Sequence, residues 1–313
     1  MKKLFSFIIK IAFEIKTTSI NLVLKFTNIS NTILIEENLI ISTKSGLFFT
    51  QENRIKLLRQ GEFYGIAIDL DNVYVFQKTM RTGRILKFKK GLKLYEIFID
   101  DLSKGCHQID LFEDNLYITD TYNNRILKYN LKAELLDEFY PIGKLSKKRN
   151  SNNYGHINSI FIIDKDNIAL LCHNESTKTK KNSEILICNS AFEVKQVYLT
   201  EAKNAHNIYY DPVKKNFILN DSIGGRTLWN NKMLFQNNRF LRGLSMTDKF
   251  NYIGDSNYSK RIYRNFAKGG VTVCTKQWKP IRRVKIPGMV QEIRCMDVDY
   301  CQSQCNYDLQ RKA

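Results

Sequence analysis

Five polar residues head successive segments of alternating apolar and polar residues in this sequence. They are Tyr64, His107, Asn158, His206 and Arg242, and His156 stands just before Asn158. Imidazoles that meet at one point can bind a divalent metal ion such as zinc. An arginine can clamp a carboxylate or phosphate, and a tyrosine can act as a general acid or base. These residue types predict an anion-binding site or a metal-assisted reaction, provided that the fold brings them together.

The elements that must position these residues come from a repeat. The segment from His107 to Ile126 reads HQIDLFEDNLYITDTYNNRI, and degraded copies of it recur along most of the chain. Each copy alternates apolar and β-branched residues between Asn, Asp and Gly turns, which is typical of strands and hairpins. The copies begin near residues 30, 61, 104, 154, 204 and 240. Repeats of this length with three or four strands each predict propeller blades.

We therefore predict an all-β fold, a six-bladed β-propeller with four-stranded antiparallel blades and a short N-terminal helix. A strand from one terminus has to complete a blade made by the other, and residues 32–36 or 286–298 could supply it. The first strand of each propeller blade lines the central channel. The five heading residues are therefore expected to converge at one channel mouth.

The repeat also contains acidic corner residues followed within a few positions by arginine. The acids are Asp120, Asp221 and Asp255, and the arginines are Arg125, Arg226 and Arg261. Short acceptors at such corners can bond backbone N–H groups, and a guanidinium suits a carboxylate. Because a feature repeated in every unit serves structure, these pairs are interpreted as blade architecture.

The stretch IDLFEDNLYITDTYNNRILKY resembles the NHL repeat of six-bladed propellers. The match is close over residues 108–130 and follows the same scheme over residues 33–265. The units that contain His206 and Arg242 are also similar to TolB-like and uncharacterised bacterial propellers. These resemblances imply the propeller fold and bring no function with them. The layout of the heading residues is similar to that of a propeller lyase acting on hydroxyglycine amides, in which three channel histidines hold zinc beside tyrosine and arginine.

The chain is strongly basic, and this bears on its partners rather than on its fold. Its 313 residues carry a net charge of +18. Such a charge fits a small anionic ligand, an anionic membrane surface or nucleic acid. The charge is spread along the chain instead of forming one stripe, so nucleic-acid binding is not favoured. RNA binding through a basic face stays an alternative, because some NHL propellers bind RNA in this way.

The sequence divides into three parts: an amphipathic segment (1–28), the propeller (29–300) and a C-terminal tail (301–313). On a helix, residues 1–16 have one narrow polar stripe, which fits peripheral contact with a membrane or packing against the propeller. Export stays an alternative, although no cleavage site follows the apolar stretch. Seven cysteines without a metal-site spacing favour a reducing, cytoplasmic location. We expect a monomer.

Two functions follow from the heading residues. The first is a propeller without assumed catalysis that binds a partner protein or small anionic ligand at the channel mouth through Tyr64, His107, Asn158, His206 and Arg242. The alternative is a metal-assisted lyase or hydrolase with Tyr64 and Arg242 as catalytic residues. There, His107, His206 and the out-of-register His156 would hold a divalent metal such as zinc. The fourth histidine, His173, is interpreted as an ordinary corner residue.

Overall fold

A computed structural model of the chain describes residues 35–144, 155–259, 264 and 267–305. These residues form six sheets of four antiparallel strands each, arranged as the blades of a propeller. The predicted all-β, six-bladed fold is confirmed. The N-terminal helix predicted within residues 1–28 lies outside the described residues. Within those residues, no helix is long and apolar enough to cross a membrane.

The strands follow the repeat in chain order. Blade 1 contains β1 (Leu39–Thr43), β2 (Gly46–Gln51) and β3 (Arg54–Gln60). Blade 2 contains β4 (Glu62–Ile68), β5 (Asn72–Lys78), β6 (Gly83–Lys89) and β7 (Tyr95–Leu102). Blade 3 contains β8 (Cys106–Phe112), β9 (Asn115–Asp120), β10 (Arg125–Asn130) and β11 (Leu135–Phe139).

The remaining blades repeat this order. Blade 4 contains β12 (Ile157–Asp164), β13 (Asn167–Cys172), β14 (Glu184–Cys188) and β15 (Val194–Leu199), with helix α1 (Ser176–Thr179) after β13. Blade 5 contains β16 (His206–Asp211), β17 (Asn216–Asp221), β18 (Arg226–Trp229) and β19 (Lys232–Gln236). Blade 6 contains β20 (Phe240–Met246), β21 (Asn251–Ser256), β22 (Lys268–Cys274) and β23 (Pro280–Pro287).

The last strand, β24 (Val290–Cys295), closes the ring. It pairs antiparallel with β1, with Ile41 opposite Ile293, and becomes the inner strand of blade 1. Of the two segments considered from the sequence, 286–298 therefore supplies the closing strand. Every residue of β24 is buried. The closing strand packs into the apolar core between blades 1 and 6, where Ile35 is also buried.

The inner strands β24, β4, β8, β12, β16 and β20 contact one another in a closed ring around the channel. In each blade the pairing of the inner strand with its neighbour shifts register near the same end. A bulge of this kind bends the strand and re-aims a side chain. The residues at these shifts include Tyr64, His107, Asn158, Asn207, Arg242 and Gln291. Four of the five heading residues, Tyr64, His107, Asn158 and Arg242, therefore lie at bulges, and His206 directly precedes one.

Corner acids pair with arginines as expected for blade architecture. Asp120 lies opposite Arg125 with a 2.8 Å ion pair, and Asp221 lies opposite Arg226 with a 2.6 Å ion pair. The third acid, Asp255, binds Arg283 of β23 at 2.7 Å. Arg261 lies outside the described residues. All three carboxylates are buried, so a cationic partner offsets the cost of removing each from water.

Residues 296–305 lie across the far end of the channel from the bulges. The backbone N–H of Ile68 donates to Gln302 Oε1 at 2.9 Å, and that of Ile162 donates to Ser303 Oγ at 2.7 Å. Ser245 Oγ donates to Asp299 Oδ2 at 2.7 Å. These contacts tie the segment to blades 2, 4 and 6. Residues 301–305, which the sequence places in a tail, therefore pack against the propeller.

Because β24 closes the ring, truncating a core side chain of this strand should strongly lower the stability of the fold. Ile293→Ala removes a fully buried side chain and should lower the free energy of unfolding by about 2–5 kcal/mol. Ile281→Ala in β23 is the matched control, because Ile281 is 47% exposed and should lose far less. Chemical denaturation of both variants measures this difference. If both variants lost a small and equal amount of unfolding free energy, the closing role of β24 would be contradicted.

Candidate functional site

The channel mouth, by which we mean the end where the bulges lie, is lined by a row of aromatic rings. The row runs Tyr64, His107, His156, His173 and His206. Successive ring centroids are 5.3, 5.3, 4.3 and 5.1 Å apart. The chain has four histidines, so all of them lie in this row. Three of them, His107, His156 and His206, are expected at the mouth from the sequence, whereas His173 is not.

Local backbone geometry brings His156 and His173 into the row. His156 directly precedes β12 and has a φ of 52°, a left-handed conformation. His173 follows β13, and its backbone N–H donates to the carbonyl of His156 at 3.2 Å. The two rings stack as a result. His173 also makes a corner contact, because its Nδ1 accepts from the backbone N–H of Glu175 at 3.0 Å.

Hydrogen bonds fix the tautomers of two neutral histidines. Ser222 Oγ donates to the carbonyl of Leu241 at 2.6 Å, so it accepts from Nδ1–H of His206 at 2.7 Å. His206 therefore has Nε2 as its acceptor. In His173, Nδ1 is already an acceptor, so Nε2 carries the proton. The row thus offers both an acceptor and a donor while its imidazoles are uncharged.

Arg242 places a guanidinium at the mouth although its residue is only 6% exposed. Its Nη1 donates to Gln291 Oε1 of the closing strand. Its Nε has no hydrogen-bond partner among the residues that the structure describes. Burial lowers the pKa of Arg242 to about 10, so the side chain stays cationic at neutral pH. A buried cation with an unsatisfied donor is costly unless a ligand or water completes it.

Two lysines add positive charge beside Arg242. Lys44 and Lys78 both approach the carboxylate of Glu62, at 3.9 and 3.5 Å. The Lys44 ammonium also lies 5.6 Å from the centre of the Tyr64 ring. Burial lowers the pKa of Lys44 to about 8, and the charge of Glu62 opposes that shift. Two ammonium groups share one carboxylate, so with Arg242 this side of the mouth has a positive balance.

The histidines respond to the same environment. Burial lowers the pKa of His107, His173 and His206 well below its usual value. Neighbouring positive charge, including that of Arg242, lowers these pKa values further. The three rings are therefore neutral at pH 7 and act through hydrogen bonds and ring faces.

Polar atoms continue from the mouth into the channel. Asn158 Nδ2 donates to the carbonyl of Ala205 at 2.9 Å, which turns this residue toward blade 5 instead of into the row of rings. Asn158 Oδ1, Gln108 Nε2 and His107 Nδ1 are buried without a hydrogen-bond partner among the described residues. Such atoms are uncommon in folded proteins. Buried polar atoms of this kind are suited to binding water or a ligand.

A buried ionic cluster lies deeper in the channel. Arg294 pairs with Glu292 at 2.9 Å, and Asn207 Nδ2 donates to the same carboxylate at 2.9 Å. Burial raises the pKa of Glu292 to about 7 and that of Asp110 to about 6. Ser303 Oγ donates to Asp110, which connects the cluster to the segment at the far end. The cluster thus joins β24 to other inner strands.

The predicted site residues come together only in part. Tyr64, His107 and His206 lie in the row, Arg242 lies close enough for its charge to affect the imidazoles, and Asn158 turns away. Within the described ranges, no group of three or more His, Cys, Asp and Glu is placed to hold a metal ion. The zinc hypothesis for His107, His156 and His206 therefore stays a prediction without a ligand group to support it.

Sequence comparison gives no relative for this chain, because no family model and no curated protein matches it. Solved structures do match. A chain of a nidogen/laminin complex has a TM-score of 0.62 at 14% identity over 86% of this chain and 100% of that one. The fold is that of six-bladed β-propellers. TolB from Acinetobacter baumannii has a TM-score of 0.55 at 9% identity, covering 82% of this chain and 66% of TolB.

A third match is XC5397 from Xanthomonas campestris, which its description calls a gluconolactonase. It has a TM-score of 0.52 at 8% identity over 83% of each chain. At these identities the likeness shows the fold alone. The resemblance to six-bladed propellers inferred from the repeat is thereby confirmed, and the function has to be argued from the channel mouth.

The buried histidines predict a measurable pH dependence. Nuclear magnetic resonance titration of the folded protein should find at least three imidazoles neutral at pH 6. In the urea-unfolded chain the histidines should titrate near their usual pKa of about 6.5. The unfolded state then binds more protons, so these histidines make the free energy of unfolding fall as pH drops below about 6.5. If the imidazoles of the folded protein had pKa values near 6.5, the buried environment described for them would be contradicted.

The buried carboxyl groups of Asp110 and Glu292 have the opposite effect on the pH dependence of the free energy of unfolding. Burial raises their pKa values, so the folded state binds more protons than the unfolded state. A His206→Asn variant isolates the histidine contribution, since the Asn amide can replace Nδ1–H toward Ser222. Its free energy of unfolding should fall less between pH 7 and pH 5.5 than that of the wild type. An identical fall would show that His206 does not contribute.

Proposed function

We propose that this propeller binds a small anionic ligand at the channel mouth, with Arg242 as the principal cation. The observation that carries this proposal is the buried guanidinium whose Nε lacks a hydrogen-bond partner among the described residues. A carboxylate or phosphate accepts from two guanidinium donors at once and is the usual partner of such a group. The excess of positive charge around Lys44 and Lys78 also favours a negatively charged ligand.

The neutral rings complete a binding surface around this cation. His206 offers Nε2 as an acceptor for a ligand hydroxyl, and His173 offers Nε2–H as a donor. The Tyr64 ring meets His107 edge to face and closes the other end of the row. Small-molecule sites are typically lined by aromatic and apolar side chains and contain a small number of polar groups. We expect these groups to orient the ligand and Arg242 to supply most of the attraction.

Binding is favoured over a reaction because the groups at the mouth are not activated as nucleophiles. Ser222 donates its own proton to the carbonyl of Leu241, so His206 does not act on it as a base. Burial raises the pKa of Tyr64 and that of the Cys172 thiol above their usual values. Both side chains therefore stay protonated at neutral pH. The metal-assisted lyase or hydrolase is the alternative function, and RNA or a protein is the alternative partner.

Removing the guanidinium tests this proposal directly. Arg242→Met should weaken binding of inorganic phosphate, measured by isothermal titration calorimetry at fixed salt, by at least about tenfold, or about 1.4 kcal/mol. A charge-assisted, bidentate contact in a buried site justifies this size.

Arg54→Met is the matched control, because Arg54 is exposed at a turn on the opposite face and the change in net charge is the same. It should leave the affinity for phosphate unchanged. Equal losses in both variants would mean that phosphate responds to overall charge, and an unchanged Arg242→Met would remove Arg242 from the site.

A further inference from the structure

A cavity of about 420 Å³ opens beside the channel mouth, between blades 5 and 6. It lies between the turn after β17 and the connection from β19 to β20. Its walls include Thr177, Ser222, Gly224, Arg239, Phe240 and Tyr258. This volume is within the range of small-molecule sites.

Two residues that line the cavity also contact His206 at the channel mouth. Ser222 lines the cavity and binds Nδ1 of His206 at 2.7 Å. Phe240 lines the cavity as well, and its ring centroid is 5.9 Å from that of His206. These two contacts place the cavity directly beside His206.

Strand geometry places an aromatic ring next to the buried cation. Phe240 and Arg242 are two residues apart on β20, so their Cα atoms lie within about 7 Å of each other even with the bulge between Leu241 and Leu244. Phe240 also contacts the ring of His206, with ring centroids 5.9 Å apart. The ring that lines the cavity therefore adjoins both His206 and the strand that carries Arg242.

A second aromatic ring flanks the cavity. The Tyr258 ring centroid is 6.0 Å from that of Phe240, and Tyr258 is 65% exposed. An exposed tyrosine beside a cavity can stack on a ligand at little conformational cost. The neighbouring Arg239 is already engaged, with Asn257 and with Asp255 at 3.6 Å. Arg242 is therefore the better anchor for the charged end of a ligand.

We infer that the ligand is an aromatic oxyanion, with its ring against Phe240 and Tyr258 and its phosphate or carboxylate toward Arg242. This inference rests on the proposed function and adds a ligand class to it. The cavity supplies the volume, the two aromatic residues supply the ring contacts, and Arg242, two residues from Phe240 on β20, supplies the charge.

The test compares two probes that differ only in the ring. Phenyl phosphate should bind the wild type roughly tenfold more tightly than methyl phosphate, as ring contacts of this kind predict. Tyr258→Ala should reduce this preference to below about threefold and leave the affinity for methyl phosphate unchanged. Benzoate against acetate repeats the comparison for a carboxylate and shows which head group is preferred.

Tyr198→Ala is the control, because Tyr198 is a half-exposed tyrosine beside a different cavity on the outer edge of blade 4. It should keep the full preference for phenyl phosphate. Equal binding of the two phosphates, or a full preference in Tyr258→Ala, would overturn the aromatic site while leaving anion binding in place. If neither oxyanion pair binds, the proposed function fails together with this inference.

Discussion

The pairing of β24 with β1 is the interaction on which both the ring and the channel mouth depend. It joins the two ends of the described propeller and leaves no gap in the ring of inner strands. The same strand carries Gln291, which accepts from Arg242, and Glu292, which accepts from Asn207. Its Arg294 donates to the carbonyl of Leu244 at 2.9 Å. The strand that closes the fold therefore also holds blades 5 and 6 in position around the site.

The channel mouth combines groups that would be costly to bury in isolation. A guanidinium and an ammonium are largely removed from water. The nearby imidazoles have lowered pKa values, first because they are buried and second because of the Arg242 charge. Within the described residues several polar atoms still lack partners, so this end of the channel is suited to an incoming ligand. The far end is occupied by residues 296–305. The proposed site and the segment 296–305 therefore lie at opposite ends of the channel.

The sequence predicted the parts of the site that follow from periodicity. Alternation and turn residues marked the blades, and the heading position of each unit marked Tyr64, His107, His206 and Arg242. His173 was missed because its contact with His156 depends on the pairing of β12 with β13 and on a left-handed residue. The pairing of Asp255 with Arg283 was missed for a similar reason, since it joins residues far apart in the sequence. Periodicity shows which strand a residue is on, but not how bulges aim its side chain.

The central proposal is that an anion binds at Arg242 in the channel mouth. A crystal structure of the protein with 4-bromophenyl phosphate tests it most directly, because anomalous scattering locates the bromine independently of the phosphate. We predict the phosphate within hydrogen-bond distance of the Arg242 guanidinium and the bromine in the cavity between Phe240 and Tyr258. A phosphate bound only to exposed lysines elsewhere on the surface would contradict the claim.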